Sequence, residues 1–341
     1  SLKNLSVATK IPSKLKNKLL NKRINQIYKK FESSFKPKGN YIVAVSGGAD
    51  SLALAFLTKV YSYRDNYKPQ YFIIDHKLRA ESSLEALKVK KILKSININS
   101  HILVWKGKKP SNNIQSIARK KRYDLLFAKC KEFKIDNIVL GHHIDDMFEN
   151  FFLRMVRGSG LKGLVSFGEK TEIKNINILR PLLKFHKSEL VFISENIFNF
   201  YVDDPSNYNT KFTRIKIRNL LGQFQEIGLD NRKFLLTLEN LKKSNEAIKF
   251  YTEKNKKKNS YMNSKKKELI LKDDFFDNSY EVVFRSLSDL IHMIGGKYNS
   301  VRGKKIDNIL EKIEKKTLTK ETLGGCVIKR VNQTVILRKE N

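Results

Sequence analysis

Acidic and imidazole side chains are concentrated in one short stretch, residues 141–149, which reads GHHIDDMFE. If residues 142–152 form a helix, His142 and Asp146 are four residues apart and Asp146 and Glu149 are three apart, so they share one face. Carboxylates so placed can bind a cationic amine and take its proton before it attacks an electrophile. They can also ligate Mg²⁺. A structural zinc site is a weaker alternative for an oxygen-rich set, and capping of the helix N-terminus by the acids is another.

A second stretch, residues 46–51, has the composition of a phosphate-binding loop. Its sequence SGGADS follows the apolar run 41–45 and precedes a helix-forming segment. Two adjacent glycines allow a tight turn with inward N–H groups, and the following helix offers its positive dipole end to an anion. The loop is not a Walker A loop, since no Gly-Lys-Ser/Thr follows, and it is not a GxGxxG motif. We expect a cradle for phosphate or pyrophosphate; the alternative is an ordinary Gly-Gly turn.

Basic side chains recur near these two stretches. The polar loop DHKLR at residues 75–79 follows an apolar run, and a long basic helix is predicted over residues 114–133. Two arginines precede the glycines of RGSG, where they could grip a phosphate or RNA backbone or simply end a helix. The basic candidates are Arg119 and Arg122 on the predicted helix, Arg154 and Arg157 before the glycines, and Arg214, Lys216 and Arg218 farther along.

Short apolar runs that alternate with helical patterns must position these motifs. The alternation predicts an α/β fold with a parallel sheet and helices on both faces. Ligands collect at the carboxyl ends of such strands, which is where the polar motifs begin. A helix over residues 81–94 is expected to turn Leu84, Leu87 and Ile92 inward. Strands are predicted over residues 41–45, 71–74, 99–105, 137–140 and 179–183.

Changes of pattern along the chain predict its division into segments. An amphipathic helix is predicted over residues 14–35, and alternation over residues 325–338 predicts a hairpin that turns at Asn332. Lysine runs at residues 254–258 and 265–267 are typical of a solvated hinge. The predicted segments are an N-terminal helix at 1–36, a catalytic domain at 37–225, a helical region with a lysine-rich linker at 226–267, and a small α+β domain at 268–341.

The charge balance favours a polyanionic partner. The chain has 68 Lys and Arg residues against 34 Asp and Glu residues, a net charge of +34, which suits contact with nucleic-acid phosphates. The alternative is compositional drift, since Lys, Asn and Ile are abundant throughout. No apolar run is long enough to span a bilayer. The distant cysteines Cys130 and Cys326 argue against a zinc finger, an iron–sulfur site or a disulfide framework, and they fit a reducing, cytoplasmic compartment.

Seven motifs occur in one order and together resemble the tRNA(Ile)-lysidine synthase family, within the PP-loop ATP pyrophosphatase superfamily. They are SGGADS, DHKLR, ARKKRY at residues 118–123, GHHIDDMFEN, RGSG at 157–160, RPLL at 180–183 and DDPSN at 203–207. The resemblance covers residues 37–221. It departs from the family pattern at Met147, where glutamine is usual, and at Asn150, where threonine is usual. Asp145, Asp146 and Glu149 remain, so the implied activity is kept.

The resemblance implies a two-step ligase reaction. ATP adenylates the C2 carbonyl oxygen of the wobble cytidine in an isoleucine tRNA with a CAU anticodon, and pyrophosphate is released. The ε-amine of free L-lysine then displaces AMP, which forms lysidine and changes decoding from AUG to AUA. The family also implies ATP and Mg²⁺ as cofactors, tRNA(Ile) as partner, a cytoplasmic location, and neither a membrane nor an obligatory protein partner.

Residue roles are carried over from the family motif by motif. The implied ATP site is Ser46, Gly47, Gly48, Ala49, Asp50, Ser51, Asp75 and His76, with Asp50 also a Mg²⁺ ligand. The implied catalytic residues are Asp50, Arg119, Arg122, His142, Asp146 and Glu149. Of these, Asp146 and Glu149 would hold lysine. The residues expected to bind RNA are Arg154, Arg157, Arg214 and Arg218.

Three other functions share parts of this pattern. A PP-loop tRNA 2-thiolase would need a sulfur carrier and usually paired cysteines or a cluster, which two distant cysteines do not supply. An NAD or GMP synthetase has the loop, but a net charge of +34 is hard to justify for a small-molecule enzyme. A non-catalytic RNA-binding module would not need the loop, the acids and the arginines together. Lysine-dependent AMP formation would separate these functions.

Overall fold

The computed structural model describes residues 11–79, 81–107, 112, 114–203, 213–296 and 301–340. Contacts along the chain divide it into two compact units, Ser1–Phe234 and Leu235–Asn341. The division falls inside a long helix, whereas the sequence places boundaries near residues 225 and 267. The domain limits stay a prediction.

The first unit alternates helices and strands around one sheet. Its elements are α1 (Ser13–Leu19), α2 (Lys22–Ser34), β1 (Tyr41–Val45), α3 (Ala49–Tyr61), β2 (Pro69–Asp75), α4 (Ser82–Ser95), β3 (Ser100–Val104), α5 (Ile114–Phe133), β4 (Asn137–Val139), α6 (Ile144–Val156), α7 (Leu161–Leu164), β5 (Lys170–Ile173), β6 (Ile176–Leu179), α8 (Lys187–Phe198) and α9 (Thr213–Glu226). The helix α10 (Asn231–Asn259) begins in this unit and continues into the second.

The sheet of the first unit has the strand order β3-β2-β1-β4-β6-β5. The strands from β3 to β6 are parallel, and β5 is an antiparallel edge strand that forms a hairpin with β6. The predicted α/β fold is therefore confirmed. The strand predicted over residues 179–183 lies earlier, because β6 ends at Leu179 and a turn follows.

The core of the first unit explains why its central elements are apolar on all sides. Every residue of β1 is buried, and α3 buries residues around most of its circumference, including Leu52, Leu54 and Phe56. Residues of α1 and α2 pack into the same core, and the helix predicted over residues 14–35 is two helices. The break occurs because the Asn21 side chain accepts hydrogen bonds from the N–H groups of Arg23 and Ile24 and caps α2.

The second unit is built on an antiparallel sheet. Its elements after α10 are β7 (Ser260–Asn263), β8 (Glu268–Leu271), a short 3₁₀ helix (Asp273–Phe275), α11 (Tyr280–Gly295), α12 (Gly303–Glu314), β9 (Lys320–Leu323), β10 (Cys326–Val331) and β11 (Thr334–Lys339). The strand order is β7-β8-β11-β10-β9. The predicted hairpin is present, and Asn332 adopts a left-handed φ of 53° at its turn.

Two local expectations differ from the structure. The lysine run 254–258, predicted as a hinge, lies inside α10. In α4 the side chains of Leu84 and Leu87 are exposed, and the helix instead packs through Ala86, Val89 and Leu93.

Candidate active site

The loop between β1 and α3 is shaped by its own serine. The Ser51 hydroxyl accepts hydrogen bonds from the N–H groups of Ser46 and Gly47, each at 3.1 Å, and donates to the Gly48 carbonyl at 2.9 Å. The Ser46 hydroxyl lies 3.2 Å from the same oxygen. One hydroxyl thus closes the loop on itself before any ligand is bound.

Neighbouring segments hold this loop from outside. The Val202 N–H donates to the Gly47 carbonyl at 2.9 Å, and the Ser194 hydroxyl of α8 donates to the Ala49 carbonyl at 2.7 Å. Gly47 has a φ of +92°, and a Cβ there would lie 2.7 Å from Val89 Cγ2. Only glycine combines this backbone conformation with the available space.

The glycine that opens the acidic motif packs directly against the loop. A Cβ on Gly141 would lie 3.0 Å from the Asp50 carbonyl oxygen and 3.2 Å from the Ser51 nitrogen. The end of β4 therefore approaches the first turn of α3 at backbone contact distance. This contact brings the two motifs of the sequence together.

Asp50 points from α3 into a small charged cluster. Its two carboxylate oxygens lie 2.8 Å and 2.7 Å from the Lys187 ammonium nitrogen at the start of α8. The Oδ2 atom is also 3.7 Å from His143 Nε2. Sequence reasoning named Asp50 but missed both neighbours.

His143 links the loop to the acidic helix. Its Nδ1 accepts a hydrogen bond from the Asp145 N–H at 3.3 Å, which assigns the ring proton of the neutral tautomer to Nε2. That Nε2 is 3.7 Å from Asp50 Oδ2 and 3.7 Å from Asp146 Oδ2. The backbone N–H of His143 donates to Asp146 Oδ2 at 2.9 Å, which completes a capping box on α6. His143 was not predicted as a site residue, although its position in the histidine doublet of GHH could have identified it.

A pocket beside this cluster collects four of the predicted catalytic residues. It is lined by Arg119, His142, Asp146, Glu149, Asn150 and Phe167. Asn150 and Phe167 were not predicted. Asp146 and Glu149 share one face of α6, as their spacing predicted, and this face forms a wall of the pocket. The prediction that His142 lies on the same helix is wrong, because His143 caps the helix and α6 begins at Ile144. Arg119 reaches the pocket from α5.

His142 is an electrically neutral wall of the pocket. Burial lowers its pKa to about 3, with further lowering from Arg180, Arg119 and Arg122 against the opposing effect of Asp146. Its Nδ1 is buried and has no hydrogen-bond partner among the described residues. The ring packs edge-on to Phe167 with centroids 5.2 Å apart. At neutral pH the imidazole offers a lone pair or an N–H to a ligand, without positive charge.

Arg180 supports the same wall and was recognised in the sequence only as part of RPLL. It is 3% exposed, and its Nη1 donates to the Gly168 carbonyl and to Thr171 Oγ1, each at 3.0 Å. Its guanidinium carbon lies 4.5 Å from the centre of the Phe167 ring. The buried arginine therefore fixes Phe167 in place through a cation–π contact.

Glu149 forms a buried ion pair with Arg218 of α9. The carboxylate is 3% exposed and accepts a hydrogen bond from Arg218 Nε. Burial opposes the charge on Arg218, but the bond and charge of Glu149 outweigh it and raise the pKa of Arg218. Phe224 of the same helix packs on Phe148 and Phe152, so α9 covers one side of α6.

Comparison with known proteins identifies a matching domain family and related enzymes. The PP-loop domain family matches residues 16–224. The tRNA(Ile)-lysidine synthase of Rickettsia akari (strain Hartford) is 33% identical over 333 residues, which cover 92% of this chain and 74% of that protein. The enzyme of the same name from Orientia tsutsugamushi (strain Boryong) is 32% identical over 319 residues, covering 90% and 71%. The chain belongs to the tRNA(Ile)-lysidine synthase family.

A solved structure agrees on the fold. The U34-tRNA thiolase NcsA of Methanococcus maripaludis superposes with a TM-score of 0.53 at 18% identity, covering 64% of this chain and 79% of that one. At this identity the likeness concerns the PP-loop architecture alone.

The two departures from the lysidine synthase pattern have different surroundings in α6. Met147 is buried with 5% exposure and does not line the pocket. Asn150 lines the pocket, and its Oδ1 accepts a hydrogen bond from Arg154 Nε at 2.8 Å. The methionine is a core residue here, while the asparagine orients a basic side chain.

The remaining predicted ATP residues of this family member form a separate polar turn after β2. Asp75 accepts hydrogen bonds from Ser82 at 2.8 Å, Ser83 at 2.6 Å and the Lys77 N–H at 2.9 Å. Burial opposes its charge, but these bonds outweigh burial and lower its pKa. His76 has a pKa lowered to about 4 by burial and by Arg122, against the effect of Asp75. Their contact with nucleotide stays a prediction.

The predicted RNA-binding arginines have different surroundings. Arg154 is held by Asn150, Arg157 is exposed at the end of α6, and Arg218 pairs with Glu149. The Arg214 side chain and most of the DDPSN motif lie outside the described residues. RNA contact stays a prediction for all four arginines.

Two kinds of feature are absent from the residues that the structure describes. Within those ranges, no three His, Cys, Asp or Glu side chains are grouped so that they could hold a metal ion. In the part of the chain that the structure describes, no helix has the length and apolarity to cross a membrane.

Proposed function

We propose that this chain joins free L-lysine to C2 of the wobble cytidine in tRNA(Ile) with a CAU anticodon, with cleavage of ATP to AMP and pyrophosphate. One observation carries the proposal beyond family membership. Asp50 of the phosphate loop and Asp146 of the pocket face the same imidazole nitrogen of His143, each at 3.7 Å. A nucleotide in the loop and an amine in the pocket would thus be neighbours.

The first step is adenylation of the cytidine oxygen. The loop 46–51, closed by Ser51 and followed by the N-terminus of α3, suits a pyrophosphate group because helix N–H groups and the helix dipole attract anions. The C2 oxygen attacks the α-phosphorus, and the bond to pyrophosphate breaks. Arg119, which lines the pocket, and Arg122 of the same helix are proposed to offset the negative charge of the adenylated intermediate.

The residues present fit a magnesium ion at the loop. Asp50 provides a hard carboxylate ligand, and Mg²⁺ in nucleotide sites is commonly bound through one or two carboxylates plus phosphate oxygens. Bound Mg²⁺ would supply charge neutralisation on the phosphates.

The second step takes place in the carboxylate-lined pocket. Lysine is protonated near neutral pH, and an ammonium group is not a nucleophile. Asp146 and Glu149 attract the ammonium and accept its proton, after which the amine nitrogen attacks C2 and AMP leaves with the former cytidine oxygen. The neutral His142 adds a hydrogen-bonding group without repelling the cation.

The macromolecular substrate accounts for the charge of the chain. A net charge of +34 favours a phosphate backbone, and Arg154, Arg157, Arg214 and Arg218 together with the second unit are the proposed tRNA-binding parts. The wobble base would be splayed out of its loop into the pocket. We place the reaction in the cytoplasm, where its tRNA substrate is used.

The test is lysine incorporation into a transcribed tRNA(Ile) with a CAU anticodon. Pyrophosphate release and entry of labelled lysine are measured with and without lysine, for the wild type and Asp50→Ala. We expect label in this tRNA and its loss in the variant. Pyrophosphate release without incorporation would indicate another PP-loop modification, and no ATP use would indicate a binding module. Either result would overturn the proposal.

A further inference from the structure

The phosphate loop contains no lysine, yet a lysine reaches it from another element. Lys187 is the first residue of α8, and its ammonium nitrogen lies 2.8 Å and 2.7 Å from the two oxygens of Asp50. The contact joins residues 137 positions apart in the chain. A Walker A loop carries its phosphate-binding lysine internally, and here a distant helix delivers the equivalent charge.

The helix that carries Lys187 is fixed against the loop. Ser194 lies seven residues later, close to two helical turns, so the two side chains share one face of α8. The Ser194 hydroxyl is fully buried and bonds the Ala49 carbonyl at 2.7 Å. The start of α8 is capped by Glu189, which accepts a hydrogen bond from the His186 N–H at 2.7 Å. These contacts fix the backbone at Lys187, and the fixed backbone directs the Lys187 side chain toward the loop.

The ammonium group itself remains accessible. The Lys187 side chain is 46% exposed and the Asp50 side chain 23%, so the pair lies at the mouth of the loop. A long flexible stem on a fixed backbone allows the ammonium to swing by a few ångströms at little cost. Such a group can leave one anionic partner for a stronger one that enters the loop.

We propose that Lys187 is a further catalytic residue, whose ammonium group moves from its ionic contact with Asp50 to an ionic contact with the departing pyrophosphate of ATP during adenylation. This inference rests on the proposed function of the loop. A polyphosphate in the loop presents more negative charge than one carboxylate, and Asp50 would hold Mg²⁺ in place of the ammonium. The Lys187 ammonium group then neutralises part of the negative charge that pyrophosphate gains as its bond to the α-phosphorus breaks.

The test measures binding of inorganic pyrophosphate with Mg²⁺ by isothermal titration calorimetry, with neither tRNA nor lysine present. The variants are Lys187→Ala and Lys187→Arg. Lys184→Ala is the matched control, because this lysine lies three residues earlier and pairs with Glu169 on the surface. Circular dichroism and thermal unfolding of each variant report whether the fold is kept.

We expect pyrophosphate binding to weaken roughly ten- to a hundredfold in Lys187→Ala, as for loss of a hydrogen bond to a charged group. Lys187→Arg should recover most of the affinity, and Lys184→Ala should match the wild type. In turnover assays the KM for ATP should rise in Lys187→Ala while the KM for lysine stays the same.

Three results would overturn the inference. They are unchanged pyrophosphate affinity in folded Lys187→Ala, a lower Mg²⁺ requirement as its only effect, and no pyrophosphate binding by the wild type. The second would mean that Lys187 merely competes with the cation for Asp50. Failure of the proposed function has a different signature, namely Lys187-dependent pyrophosphate binding without lysine incorporation into the tRNA.

Discussion

Glu149 and Arg218 form an ion pair at the edge of the pocket, between a carboxylate that is 3% exposed and a guanidinium that is 40% exposed. The pair connects α6, which carries the proposed catalytic acids, to α9. A buried carboxylate is costly when its cationic partner is removed. The pair therefore contributes to the position of Glu149 as well as to the stability of the first unit.

Removal of the guanidinium should destabilise the fold. We expect Arg218→Ala to lower the free energy of unfolding by about 2 kcal/mol, since the buried carboxylate loses a charged partner. The double variant Glu149→Gln with Arg218→Ala should lose less than the sum of the two single variants. Urea unfolding measures all four proteins. Strict additivity would show that the two side chains act independently.

Substitution of Asp146 should affect the two reaction steps to different extents. Asp146→Asn should lower lysine incorporation by roughly a hundredfold, because a general base contributes on this scale, while pyrophosphate release is reduced far less. Asp145→Asn is the matched control, since Asp145 is 41% exposed and does not line the pocket. Equal losses in both variants would place the amine elsewhere.

Buried histidines should make stability depend on pH below neutrality. His142 has a pKa lowered to about 3 and His76 to about 4, against about 6.5 in an unfolded chain. As pH falls from 6.5 towards 4, the unfolded chain binds protons that the folded chain does not, so stability decreases. Above pH 6.5 this contribution is fully present.

The measurement is the thermal unfolding midpoint between pH 7 and pH 5. We expect the decrease to be smaller in His142→Gln and in His76→Gln than in the wild type, with solvent-exposed His101→Gln as control. The lowered pKa values of Asp75 and Asp146 act at more acidic pH, outside this interval. An unchanged slope in both variants would mean that neither histidine is held neutral.

A methyl group at Gly141 should disturb the phosphate loop. In Gly141→Ala the new Cβ would lie 3.0 Å from the Asp50 carbonyl oxygen, so the backbone of α3 must shift. We expect a loss of about 1–3 kcal/mol of stability, as for overpacking, together with weaker binding of ATP. Gly160→Ala is the control, because nothing lies within 4 Å of its Cβ position. Chemical denaturation and nucleotide titration test the two variants side by side.

Contiguous motifs allowed the sequence to predict the sheet, the loop and one wall of the pocket. The spacing of Asp146 and Glu149 was sufficient to place them on one face of α6, because helical geometry is local. The helix predicted to include His142 begins at Ile144, so His142 reaches the pocket from the segment before the helix and its placement did not follow from helical spacing. The inward face of α4 was predicted wrongly, since Leu84 and Leu87 suggested burial whereas the sheet packs on Ala86, Val89 and Leu93.

Contacts between distant residues could not be predicted in the same way. Lys187 meets Asp50 from 137 residues away, and Arg180 and Phe167 reach the pocket through the hairpin of β5 and β6. No periodicity in the chain encodes such pairings, because they depend on strand order. His143 was missed for a different reason, since either histidine of the doublet could have faced the acids.

The ion pair between Glu149 and Arg218 also bears on how the polypeptide behaves while it is being synthesised. Arg218 follows Glu149 by 69 residues, so a nascent or prematurely terminated chain can assemble the sheet while the acid still lacks this partner. Such a fragment would lack the helix that packs on Phe148 and Phe152, so this side of α6 would be open to solvent and accessible to proteases. The pair can therefore form only after synthesis has passed α9, close to the end of the first unit.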